Sequence, residues 1–268
     1  MVRSGVLLLV LRSDGEIART CDEASAQHRT GGAYEVRESV GRIVGVLLLL
    51  HLAAGLTVPF ILLHPLVTPP GFLASAAGVP NQVRAAVILL FVGSAITIGI
   101  ASAAWSVFRQ YSSAMALWLL ALAVAGFSLQ AVDNAHILSM LSVSQEYAKA
   151  GVGKGELFEA LAVVVGAARK WSHYTALLVA VSWIFLFYSL LYGSRLVPRA
   201  LAAFGLVGSM LQITGVTLRA LLGYPPEMRL AMPLAPAYVA LAVWLLVRGF
   251  DERHRPLQAE ADGGGART

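Results

Sequence analysis

Apolar residues in this chain fall into six long runs separated by short polar breaks: 43–63, 85–108, 114–132, 174–192, 200–218 and 230–247. None of the six contains Asp, Glu, Lys or Arg, although the chain has 20 basic and 15 acidic residues. About 20 apolar residues in a helix cross the hydrocarbon core of a bilayer, and a core helix of a soluble protein rarely keeps charge out for so long. The pattern therefore predicts an all-α membrane protein, a bundle of six transmembrane helices occupying 39–250.

The polar breaks differ in length. The two at 109–113 and 193–199 are tight and carry Arg109, Arg195 and Arg199 with no acid, whereas the longest runs from Asp133 to His173. Short arginine-bearing loops orient a chain more strongly than long ones, so both termini are expected in the cytoplasm and the long connection outside. Within that connection Leu157, Phe158, Leu161, Val164, Val165 and Ala168 recur at helical spacing, with Glu156 and Glu159 early and Arg169 and Lys170 late, as a helix dipole favours. This predicts an amphipathic helix lying at the outer interface between the third and fourth spans. Gly151, Gly153 and Gly155 precede it as a hinge. They resemble a phosphate loop only superficially, without the GxxxxGK[S/T] spacing.

The segments outside the spans predict little folded structure. Residues 1–38 are mostly polar beyond a six-residue apolar run, Val6 to Leu11, and read as a disordered extension or as sequence upstream of a later start codon; residues 251–268 read as a solvated cytoplasmic tail. Hydrophobic residues make up 57% of the chain and charged residues 13%, with a mean hydropathy of +0.72. A net charge of +5 would point to nucleic acid in a soluble domain, but here the arginines cluster at helix ends, so lipid and not nucleic acid is the expected partner. The lone Cys21 excludes an internal disulfide. Gly41 and Gly45 form a GxxxG pattern suited to close helix contact.

Candidate chemistry gathers at one depth. The third span ends in Gln130, Asp133 and Asn134 on one helical face with His136 at its flank, roughly 28 Å along from Ala114. Arg84 opens the second span, His173 precedes the fourth and Arg219 follows the fifth, all near that level. Ionisable groups at this depth are costly unless paired, so Asp133 is expected to pair with Arg84 or Arg219. The cluster Arg84, Gln130, Asp133, Asn134, His136, His173 and Arg219 then reads as structural, in a structural or regulatory subunit of a membrane complex, or as a site that binds or transports a small anionic or amphipathic molecule at the outer face. A third reading, a membrane enzyme or a haem or metal protein using His51, His64, His136 and His173, has no HxH or HExxH spacing behind it. No catalytic template such as GxSxG is present, so neither catalytic residues nor a cofactor are expected. The aromatic residues, Tyr174, Tyr188, Tyr192 and Trp183 among them, read as interface belt or helix packing.

The order of features resembles a bacterial six-span membrane family known only as domain of unknown function 4386. Arg42 to Gly45 before a leucine-rich first span carry the resemblance, with Arg84 opening the second span and Gln130, Asp133 and Asn134 closing the third. So does the turn Tyr188-Ser-Leu-Leu-Tyr192-Gly193-Ser194-Arg195-Leu196-Val197-Pro198-Arg199. The resemblance covers roughly 38–250 and departs at the glycine run of the long connection. It implies a fold and a bacterial cytoplasmic-membrane location, and it brings no activity and no catalytic residue. In that turn Gly193 is expected to end one helix and Pro198 to start the next.

Overall fold

The computed structural model describes residues 38–150, 155–224 and 228–250. The expectations for residues 1–37 and 251–268, and for the glycine run up to Lys154, lie outside the described residues. Among the described residues every regular element is helical. Helix α1 is Glu38–Leu62. Short helices α2 (His64–Val67) and α3 (Phe72–Ser75) lead to α4 (Pro80–Phe108), α5 (Ser113–Lys149), α6 (Gly155–Ser194) and α7 (Arg199–Leu222), followed by α8 (Met228–Ala231) and α9 (Leu234–Arg248). Five of these, α1, α4, α5, α6 and α7, are long and apolar enough to cross a bilayer, and α9 is a shorter apolar helix. The chain is a multi-pass membrane protein.

The sixth apolar run is not one helix. Pro233 caps α9 and Pro236 sits in its first turn, where a missing amide hydrogen costs no helical bond, and this separates α9 from α8. At 15 residues, α9 alone spans about 22 Å.

Elsewhere proline and glycine set the element ends. Pro59 lies in the π-turn Val58–Leu62 that closes α1, the wider turn accommodating a residue that cannot donate. Gly223, at φ 72°, ends α7 in the left-handed conformation. The α6–α7 turn departs from expectation: α6 runs through Gly193 to Ser194, and the left-handed residue is Arg195, at φ 56°. Leu196 and Val197 then bury in the end of the bundle, and their burial offsets the strain at Arg195.

The long connection between the third and fourth spans is the largest correction. Among the described residues no separate interfacial helix lies there. The residues after Asp133 continue α5 to Lys149, and the amphipathic segment 156–170 is the first half of α6. Polar residues read as loop are the solvated faces of two helices that outrun the hydrocarbon. With 37 and 40 residues, α5 and α6 measure about 55 and 60 Å, roughly twice the hydrocarbon thickness.

Two apolar cores follow from this. The larger fills the end of the bundle that holds the α4–α5 and α6–α7 turns, around Phe108, Phe187, Tyr188, Leu241 and Phe250. There α1 and α9 meet through the GxxxG pair: a Cβ at Gly41 would overlap the Gly249–Phe250 backbone, and one at Gly45 would press on the Ala242 carbonyl. The smaller core, with Val58, Leu66, Ala76, Val83 and Ile137, sits at the opposite, far end, where the α2–α3 linker packs on α5. Ser144 of α5 pins that linker, accepting from the Ala77 amide at 2.8 Å and donating to the Leu73 carbonyl at 2.9 Å.

Candidate functional site

Asp133 is buried to 1% exposure on α5, below the smaller core that Ile137 and Leu141 join. About five and a half helical turns, roughly 30 Å, separate it from the start of α5. Its partners come mainly from α6. The His173 Nδ1–H donates to Oδ2 at 3.3 Å, the Ser172 hydroxyl stands 3.0 Å from Oδ1, and the Arg169 Nε is 3.5 Å from the same oxygen. Positions 169, 172 and 173 fall on one face of α6 by the three- and four-residue spacing of a helix, which is why one carboxylate reaches all three. From its own helix, Gln130 reaches Asp133 Oδ2 at 3.4 Å and donates to Asn134 Oδ1 at 3.0 Å. Asn134, as buried as Asp133, donates to the Val87 carbonyl of α4 at 3.3 Å. The cluster thus ties α4, α5 and α6 together at one height.

Of the predicted cluster, the structure brings together Gln130, Asp133, Asn134 and His173. The pairing of Asp133 with Arg84 or Arg219 is overturned, since the basic partner is Arg169. Arg84 is exposed on α4 and bonds Asn81 at 3.2 Å. Arg219 bonds the Tyr174 hydroxyl at 3.0 Å and the Tyr224 carbonyl at 3.1 Å. Helical rise gives a residue's height but not the direction it faces, and both arginines face elsewhere. His136 is half-buried and outside the hydrogen-bonded set. Arg169 and Ser172 join the site because the predicted interfacial helix, with Arg169 at its end, is continuous with the fourth span, so both stand within about one turn of His173. Their signal was the apolar periodicity of 157–168, which runs into the fourth span without a helix-breaking residue.

The four histidines of the metal reading lie apart. His51 donates from Nδ1 to the Gly93 carbonyl at 3.1 Å and stacks on Tyr238, His64 is exposed on α2, and His173 belongs to the Asp133 cluster. Among the described residues no three His, Cys, Asp or Glu side chains converge as metal ligands.

Asp133 is saturated by these contacts, but His173 is not. Its ring is clamped by Nδ1 to a buried carboxylate while 40% of the side chain is exposed, so Nε2 lies on the outward edge. A carboxylate held in this way fixes tautomer and orientation and leaves Nε2 as an acceptor, or as a donor once the ring is protonated. Beside it the exposed Lys170 ammonium rests 5.2 Å from the Trp171 ring, an arrangement suited to a membrane boundary.

A family model described as Domain of unknown function (DUF4386) matches residues 43–249. The chain belongs to this family. The match takes in α1 from Ile43 onward and all of α4 to α7, the α5–α6 hairpin included, so the cluster around Asp133 is part of the DUF4386 region itself. No match is found among curated proteins or among solved structures.

Proposed function

We propose that this DUF4386 protein binds a small anionic or amphipathic molecule at the far end of its bundle. In this reading both termini are cytoplasmic, the membrane is the bacterial cytoplasmic membrane and the site opens outward. The carrying observation is the half-exposed His173 imidazole, oriented by buried Asp133. His173 and Lys170 would meet the head group and the neighbouring lipid the apolar body, and Asp133 acts as a positioning residue. Arg84, His136 and Arg219 are left out of the site.

The test is thermal shift of the purified protein in detergent against short-chain carboxylates, organic phosphates, free fatty acids and lysophospholipids. At least one class is expected to raise Tm, and His173→Ala is expected to abolish that shift while its ligand-free Tm stays near wild type. A shift of undiminished size in His173→Ala would remove His173 from the site. Orientation is tested by cysteines at Gly193 and Lys149 in a Cys21→Ser background, where an impermeant thiol reagent on intact cells is expected to label position 149 alone. The reverse pattern would place the cluster on the cytoplasmic side.

A second reading is favoured by the saturation of Asp133: the cluster is a brace holding the α5–α6 hairpin upright. Absence of any ligand-induced shift, together with a large loss of stability on mutating Asp133, would select it.

A further inference from the structure

At the far end, α5 and α6 project about 24 Å past the Asp133 level, and their outward faces differ in character. On α5 that face is polar, with Ser139, Ser142, Glu146 and Lys149 exposed, the last two bridged at 2.8 Å. On α6 it is apolar, with Leu157, Leu161 and Val164 between 41% and 66% exposed and Trp171 below them at 52%. Tyr147 and Phe158 stack edge-on at 5.8 Å, which sets the Glu146–Lys149 bridge at the height of Leu157 and Leu161. Exposed Glu156 and Glu159 share that height. A level with four exposed charges is water and not hydrocarbon, so lipid does not cover the upper part of the stripe at Leu157 and Leu161. An uncovered apolar stripe on a water-level helix marks a protein contact.

We propose that the stripe is covered by the same stripe of a second copy, in a parallel two-fold contact. Three observations select this occupant. Leu157, Leu161, Val164, Ala168 and Trp171 follow one another at steps of four, three, four and three, the 3.5-residue seam of a left-handed coiled coil. With Leu157, Val164 and Trp171 at d and Leu161 and Ala168 at a, the charged residues Glu156, Glu159, Arg169 and Lys170 fall at b, c and f, clear of the e and g positions where like charges of two parallel copies would meet. Finally, α6 continues unbroken into the membrane, so two copies in one bilayer hold their stripes at the same height and in the same direction, as an isologous contact needs. Along that line inside the membrane stand Thr175, Ser182 and Ser189, whose hydroxyls are spent on backbone carbonyls one turn back. Small residues of this kind permit close helix approach.

The test is disulfide cross-linking in native membranes, with single cysteines at Leu161, Val164 or Glu159 in a Cys21→Ser background. Seam positions of a parallel pair come within disulfide reach and f positions do not, so about tenfold more linked dimer is expected at 161 and 164 than at 159. Equal linkage at all three positions, no linkage, or linkage to a protein of another mass would overturn the proposal. Should a cysteine variant fail to accumulate, mass photometry of the wild-type protein in nanodiscs decides. Two copies per disc are expected, falling to one in Leu161→Glu/Val164→Glu, and wild-type protein found as single copies would equally overturn it.

Discussion

Asp133→Asn is expected to be among the most destabilising single changes in this protein, at about 3–5 kcal/mol, because it strands a buried charge. The amide keeps the volume and can still meet Ser172 and Gln130, so the loss is electrostatic: the Arg169 guanidinium, only 19% exposed, keeps its charge beside a neutral group. An exposed ion pair would be worth only about 0–1 kcal/mol. Burial therefore decides the size, and a fall in Tm in detergent measures it. Removing the stranded charge should restore part of the loss, so Asp133→Asn/Arg169→Met is expected to melt above Asp133→Asn alone. An unchanged Tm in the single variant would mean that water reaches Asp133 and that the brace does not exist. The same variant bears on ligand binding, since releasing His173 from its carboxylate frees the ring to turn and is expected to weaken binding even where the fold survives.

The parts of this fold that could be read from residues alone are those governed by one dominant cost. Unpaired backbone and charge are so expensive in hydrocarbon that the apolar runs had to be helical, and each of the five longest helices is built around one of them. Helical periodicity placed Gln130, Asp133 and Asn134 on one face, as found. The readings that missed concern choices between outcomes of similar cost. Whether the polar stretch after Asp133 leaves the helix or continues it turns on a few helix-compatible residues such as Ser139, Ser142 and Glu146, and water satisfies either state. Which arginine meets Asp133 depends on the direction each faces in the packed bundle, and height along the helix axis does not carry that information. The sixth apolar run was read as one span because hydropathy weighs side chains, whereas the break at Pro233 and Pro236 is a property of the backbone.

Gly205 marks a second position where one atom should matter. Taken alone, Gly→Ala inside a helix favours folding by about 0.5–1 kcal/mol. Here a Cβ would overlap the ring of Tyr188, which is fully buried and walled by Phe187 and Tyr238, so the ring has nowhere to go. Overpacking of this kind costs about 1–3 kcal/mol, and steric overlap therefore outweighs propensity. Gly205→Ala is expected to lower Tm. Tyr188→Ala should lower it further, since emptying an aromatic site costs about 3–5 kcal/mol. The decisive measurement is the pair of changes together. With the ring gone nothing opposes the methyl group, and Gly205→Ala introduced into Tyr188→Ala is expected to raise Tm, a reversal of sign worth roughly 1.5–4 kcal/mol of coupling. Additive losses in that cycle would mean that the α6–α7 interface is not built on the ring of Tyr188 lying against the backbone at Gly205.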